Sequence, residues 1–298
     1  MDYQATLKRS IEFSGVGLHS GKTATVRIHP AEVDTGIVFT KNNITIPALS
    51  SSVVDSQLST TLGKNKITIA TVEHLISALW GMQVDNVKIE VIGSEIPILD
   101  GSSYLFVKAI RKAGLKVQDK PRRHFVITKP VSVIEGDRYG YLLPHRTPKI
   151  SCSVEFNHPL IKKQMLEMAF TPVEYMQKIS KAKTFGFLKD FDQLKKLGLI
   201  AGGSLENAIV LDETKVLNPE GLRYKDEFVR HKILDLIGDI ALMGIRILGH
   251  VVAHKSGHRL HYELIQKALK EECGYIVGVT DESETVPSLV PDLQPISA

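Results

Sequence analysis

The chain has 298 residues, 43% of them hydrophobic and 23% charged, with a formal net charge of +4. That composition belongs to a globular protein with a full core and excludes a disordered or fibrous chain. The charge suits an anionic small substrate or an acidic membrane surface but is too small to argue for either, and no run of about 18 apolar residues could span a bilayer. Cys152 and Cys273 are the only cysteines, which excludes a thiolate zinc site or a disulfide framework. Met1–Gln4 lacks the basic start and apolar run of a secretory signal. A reducing, cytoplasmic setting is expected, and any metal ligands must be His and carboxylate.

Ser10–Ser20 reads as a strand and turn. The turn Gly15-Val16-Gly17-Leu18-His19-Ser20-Gly21 is glycine-rich, a weak signal for approach to an anionic group. Thr71–Leu79 reads as a helix with Val72, Leu75, Ile76 and Leu79 as its apolar stripe. His74 points nearly away from that stripe and Glu73 lies on its flank. An exposed, idle histidine is the plain alternative at His74. Asn86–Ile92 alternates as a half-buried strand. Ser102–Ala113 is an amphipathic helix, with Ser102 as N-cap and Gly114 as its stop. Lys120-Pro121-Arg122-Arg123-His124 has no periodicity and reads as a solvated linker between domains 1–122 and 123–298.

In the second half, Thr171-Pro172-Val173-Glu174 is a helix start, with Thr171 as cap and Pro172 in the first helical position. Arg230–Asp239 is a helix whose His231, Asp235 and Asp239 fall four apart on one side. Val229, Ile233, Leu236, Ile237 and Ile240 lie roughly opposite. Ile247–His254 reads as a strand, Lys255-Ser256-Gly257-His258 as a turn, and a helix continues to about Lys270. From Glu282 the chain is rich in Pro and Ser and reads as a frayed end. Two similar α/β halves, with a groove between them for a small molecule, are the expected architecture.

An imidazole and a carboxylate one turn apart can share one metal ion. Adding His74 to His231 and Asp235 gives two histidines and one carboxylate, the ligand set of hydrolytic zinc sites with an open position. Glu73, next to a ligand, is placed to take a proton from the metal's water. His258 as imidazolium could protonate a leaving amine, with Asp239 orienting it and holding its charge. A solvated or capping histidine is the alternative for His258. The remaining histidines, His261 among them, carry no signal of their own, except His19, which lies in the glycine-rich turn.

Taken together, these segments resemble the UDP-3-O-acyl-N-acetylglucosamine deacetylase family, zinc amidases of lipid A biosynthesis. The resemblance is carried in order by the Gly15–Gly21 turn, Thr71-Val72-Glu73-His74-Leu75, Glu95-Ile96-Pro97-Ile98-Leu99-Asp100-Gly101-Ser102 and Phe156-Asn157-His158-Pro159. It continues through Lys183-Thr184-Phe185-Gly186-Phe187, Gly202-Gly203-Ser204, Asn218-Pro219-Glu220-Gly221-Leu222-Arg223, the Arg230–Asp239 helix and Lys255-Ser256-Gly257-His258. Lys183 departs from the arginine expected before Thr-Phe, and Ser59 from a frequent cysteine.

The resemblance implies two α/β sandwich domains with helices packed inward and the site between them. It implies zinc on His74, His231 and Asp235, with iron(II) suited to the same ligands. Glu73 would be the general base, and His258 the general acid supported by Asp239. Thr184 and Lys232 would hold substrate and stabilise the oxyanion. Phe185 would pack on the sugar and Phe156 on the uracil. Leu18 and Phe187 would border an acyl passage, and His19 would lie near the substrate's polar part. An insert near Asp190–Arg223, with Leu197, Leu199 and Ile200, would form that passage.

The expected substrate is UDP-3-O-acyl-N-acetylglucosamine with water, and no nucleic acid. Transient contact with a membrane surface stays open. An amidase for another acylated substrate is the nearest alternative. A non-catalytic metal-dependent binding protein is a more distant one, since it would need neither Glu73 nor His258.

Overall fold

The computed structural model describes residues 3–278 apart from Leu197. Leu197 and the stretch from Glu282 lie outside the described residues. The chain is a mixed α/β protein built around two five-stranded sheets. The first runs, edge to edge, Ile11–Val16, Thr23–Pro30, Val87–Ile92, Ile37–Lys41, Ile44–Pro47. The second runs Val131–Glu135, Arg138–Leu143, His250–His254, Lys149–Phe156, Lys162–Ala169. In both, the third and fourth strands are parallel and all other neighbours antiparallel. One topology therefore occurs twice. Alternation sets the faces, as in Val87–Ile92, where Val87, Ile89 and Val91 are buried and Lys88, Glu90 and Ile92 exposed.

The helices are α1 (Glu73–Gly81), α2 (Tyr104–Ala113), α3 (Pro172–Glu174), α4 (Leu188–Lys196), α5 (Glu227–Ile240) and α6 (His258–Lys270). α1 packs on α5, and α5 on α6 and on the strand Lys149–Phe156. The α1–α5 contact is close because Gly238 has no side chain. A Cβ there would lie 2.2 Å from the Glu73 backbone oxygen.

Several local expectations hold. Thr171 Oγ1 accepts from the Glu174 N–H at 3.2 Å and starts α3. Gly114 ends α2 with φ of 76°, a conformation that favours glycine. At the start of α2 the cap position belongs to Ser103 rather than Ser102, whose hydroxyl accepts from the Tyr104 N–H.

Other expectations are corrected. The segment Lys120–His124 is no solvated linker. Leu115–Pro121 pairs with Tyr3–Leu7, and Arg123–Ile127 pairs with Arg246–Leu248 and Gly274–Gly278. Arg122 between them is buried and ion-paired with Asp85 at 2.6 Å, so its charge marks a buried partner rather than solvent. The strand expected over Ile247–His254 is two strands in two sheets, Arg246–Leu248 and His250–His254, divided at Gly249. α1 has no exposed side: every residue from Glu73 to Gly81 is buried, with α5 and α2 packed against it. His74 is therefore a buried histidine, and its exposed alternative falls.

Candidate active site

One cleft is lined by residues from both halves, among them Leu18, His19, Glu73, His74, Thr184, Phe185, His231, Lys232, Asp235 and His258. Its volume is about 610 Å³, within the range of small-molecule sites. Glu73 and His74 come from the first turn of α1, His231, Lys232 and Asp235 from α5, and His258 from the first position of α6. His258 is thus a buried helix residue following Gly257, and not a side chain on a loose turn.

His74, His231 and Asp235 are buried, and their donor atoms all lie within 4.8 Å of one another. His231 Nε2 lies 3.2 Å and His74 Nε2 3.4 Å from Asp235 Oδ1. These separations are long for charge-assisted hydrogen bonds. They match the edge of a tetrahedron around a divalent ion, about 3.3 Å for bonds of about 2.0–2.1 Å. His231 Nδ1 lies 3.1 Å from the Ala182 carbonyl, an acceptor, so Nδ1 carries the hydrogen and Nε2 keeps its lone pair. Burial works to raise the Asp235 carboxyl, but His231 and Lys232 outweigh it and hold it well below the usual range. Two imidazole nitrogens and one fixed carboxylate oxygen suit a divalent cation.

Lys232 donates to Asp235 Oδ2 at 2.8 Å. Burial opposes its charge, yet Asp235 raises its pKa overall. Lys232 Nζ also stands 5.7 Å from the centre of the Phe185 ring. Glu73 is 3% exposed and accepts the Thr60 backbone N–H at 3.1 Å. Burial pushes its carboxyl up against the opposing pull of His258 and His74.

Asp239 does not line the cleft. It lies buried behind His258 and accepts from His258 Nδ1 at 2.7 Å. Burial works to lower the His258 imidazole. The charge and hydrogen bond of Asp239, with Glu73 and Asp235 beyond, carry it the other way, to about 9.

The Gly15–Gly21 turn is fastened by Glu95, whose carboxylate accepts the backbone N–H groups of His19 and Ser20 and the hydroxyl of Thr71. The turn meets the Ile200–Gly203 loop through hydrogen bonds from Ala201 and Gly202 to the carbonyls of His19 and Leu18. His19 faces the cleft with neither ring nitrogen hydrogen-bonded. Burial, aided by His258 and His74, lowers its pKa against the pull of Glu95. Thr184 is fixed through its backbone to Gly101 and Ile209.

Phe156 and Phe187 lie outside this cleft. Phe156 touches both Phe185 and Phe187 with ring centres 5.7 Å apart, and Phe187 lines a neighbouring cavity with His158 and Asp212. Lys183, in place of the expected arginine, pairs with Glu220 at 2.9 Å. Arg223 bonds Asp100 and the Lys181 carbonyl, so two of the sequence motifs tie the halves together. Sequence reasoning misses Thr60 and His261, both bonded to Asp239. Thr60 gives no signal, but His261 stands three positions after His258 on one helix, a spacing that places them as neighbours.

Residues 4–270 match the family model for UDP-3-O-acyl N-acetylglycosamine deacetylase. Curated relatives carry the name UDP-3-O-acyl-N-acetylglucosamine deacetylase. The protein of Myxococcus xanthus is 47% identical over 276 residues, 91% of this chain and 88% of its own. That of Citrifermentans bemidjiense is 45% identical over 96% of both chains, and that of Pseudomonas entomophila 42% identical over 99% of both. With nearly its whole length matched, the chain belongs to the UDP-3-O-acyl N-acetylglycosamine deacetylase family.

Proposed function

We propose that the chain hydrolyses the acetamide of UDP-3-O-acyl-N-acetylglucosamine to acetate and UDP-3-O-acyl-glucosamine, the committed step of lipid A biosynthesis. The observation that carries this reading is the convergence of a His74–His231–Asp235 ligand set, a buried carboxylate and an Asp239–His258 pair in one cleft. The family supplies the substrate. The chain is read as two domains, 1–122 and 123–298, and the doubled sheet topology supports that division.

The metal of choice is zinc, with iron(II) suited to the same donors. A divalent ion there supplies a Lewis acid and lowers the pKa of its water from 15.7 toward about 7. Glu73 takes the proton from the attacking water. The new C–O bond forms as the carbonyl π pair moves to oxygen, and Thr184 and Lys232 stabilise the resulting oxyanion. The C–N bond then breaks. His258 gives its proton to the departing nitrogen, so the sugar leaves as an amine and acetate remains. Asp239 keeps His258 oriented and charged until that step.

Phe185 packs on the sugar, Phe156 on the uracil, and Leu18 and Phe187 border the acyl chain, with His19 near the polar part. Both cysteines are free and buried, in keeping with a reducing, cytoplasmic compartment. No helix of the described residues is long and apolar enough to cross a membrane.

Acetate release from the UDP-sugar, measured with and without its 3-O-acyl chain, tests the reading. Release that depends on the acyl chain supports it. Equal or greater release from a different acylated amide would favour the alternative, an amidase of other specificity.

A further inference from the structure

Asp239 lies beneath two imidazoles. His258 and His261, one turn apart on α6, both present Nδ1 to the same oxygen, Oδ2, at 2.7 Å each. The other oxygen accepts the Thr60 hydroxyl at 2.6 Å. Burial works to raise the Asp239 carboxyl, but the charge and hydrogen bond of His258, and then His261, hold it well below the usual range. An ionised carboxylate only accepts, so both Nδ1 atoms carry hydrogen.

The second nitrogen of His261, Nε2, lies 2.8 Å from Ser256 Oγ. A hydrogen-bonded chain thus runs Ser256–His261–Asp239–His258, with both Nδ1–H groups donating to Asp239 Oδ2 and Ser256 Oγ meeting the far ring nitrogen of His261. His261 is 1% exposed and does not line the cleft, so it is out of reach of substrate.

We propose that His261 is a positioning residue that fixes the Asp239 carboxylate in the orientation that serves His258. The inference rests on the reading of Asp239 and His258 as the acid pair. Its physical basis is rotation. A carboxylate held by one donor on each oxygen cannot swing, and Thr60 and His261 supply those donors from opposite halves of the chain. Without His261, Oδ2 is held only by the ring it must orient, so carboxylate and imidazole can shift together about the Thr60 bond. His258 acts on the leaving amine, so the loss falls on kcat rather than on KM.

The test compares metal-loaded wild type with His261→Phe and His261→Asn. Asn places an N–H near the position of Nδ1 and keeps the bond to Asp239. His261→Phe is expected to lower kcat about 10- to 100-fold, the range for partners that orient a site's ligands. KM and metal content stay at wild-type values, and His261→Asn recovers most of the rate. Proton NMR of wild type should show two downfield imidazole N–H resonances. In either variant one disappears and the other moves.

A wild-type kcat in His261→Phe would overturn the proposal. So would loss of metal along with kcat, or an Asn variant no better than Phe. Should His261→Phe fail to fold, His261→Gln, whose N–H reaches Ser256 instead of Asp239, must show the same kcat loss, and a wild-type kcat there overturns it equally. Activity retained by His258→Ala would instead sink the acid assignment, and the two resonances would still report the geometry around Asp239.

Discussion

Thr60 donates its hydroxyl to Asp239 at 2.6 Å, and its backbone N–H reaches Glu73 at 3.1 Å. One residue thus holds the carboxylate read as the base and the carboxylate behind the acid. Thr60→Val keeps the shape and the N–H but leaves Asp239 Oδ1 without its donor. A hydrogen bond to a charged group is worth about 1.5–3 kcal/mol, so kcat should fall by about tenfold or more, with metal retained. Thr60→Ser should stay near wild type. Steady-state acetate release decides it, and equal rates in Val and Ser would show the hydroxyl to be idle.

The metal ligands make a separate prediction. His231→Ala removes one of three donors and should abolish stoichiometric metal in protein purified without chelator. Elemental analysis is the measurement, and unchanged metal content would disprove the ligand set.

Glu73→Gln is nearly isosteric and removes only the proton acceptor. General-base catalysis typically contributes about 10²- to 10⁴-fold, and kcat should fall within that range while metal stays bound. Near-full activity would mean that another group takes the proton.

The pH dependence follows from His258, faced by Asp239, His261, Glu73, Asp235 and His19. Its imidazole is raised to about 9, so the acid form is lost as pH rises and kcat should fall along a basic limb. A bound cation lowers that limb from the metal-free value. Asp239→Asn removes the largest raising influence and should move the limb to lower pH. A limb that stays in place would separate it from His258.

Stability carries the same sign. In metal-stripped protein the His258 contribution is fully present below the unfolded value of about 6.5 and is lost as pH rises through about 9. Denaturant midpoints of wild type and His258→Gln should converge over that window.

Gly238→Ala tests the contact between α1 and α5. Its Cβ would meet the Glu73 backbone oxygen at 2.2 Å, and a backbone atom cannot swing aside. Overpacking of this kind costs about 1–3 kcal/mol. Both thermal stability and kcat should drop, because the wedge moves Glu73 away from Asp235. A loss of stability alone would show that the site tolerates the displacement.

Much of the site is legible in the sequence because helical spacing is a local property. His231, Asp235 and Asp239 fall four apart, and the helix brings them to one side. Val87–Ile92 likewise declares its buried face by alternation. What spacing cannot report is what covers an element from elsewhere. α1 reads as one-sided because its stripe is local, yet α5 arrives from about 150 residues later and buries the side holding His74. Arg122 reads as linker for the same reason, since Asp85 is remote in sequence. Thr60 meets Asp239 across 179 positions, and no local pattern announces such a pairing.

The doubled sheet has a consequence for how the chemistry is divided. In each copy one helix precedes the middle strand and another follows it: α1 and α2 around Val87–Ile92, α5 and α6 around His250–His254. The ligand set therefore draws on counterpart helices, α1 and α5. The followers have parted ways. α6 brings His258, whereas α2 lines no part of the cleft. On the proposed reading the first copy gives the ion one ligand, His74, and takes the proton through Glu73, while the second gives two ligands, His231 and Asp235, and returns the proton through His258.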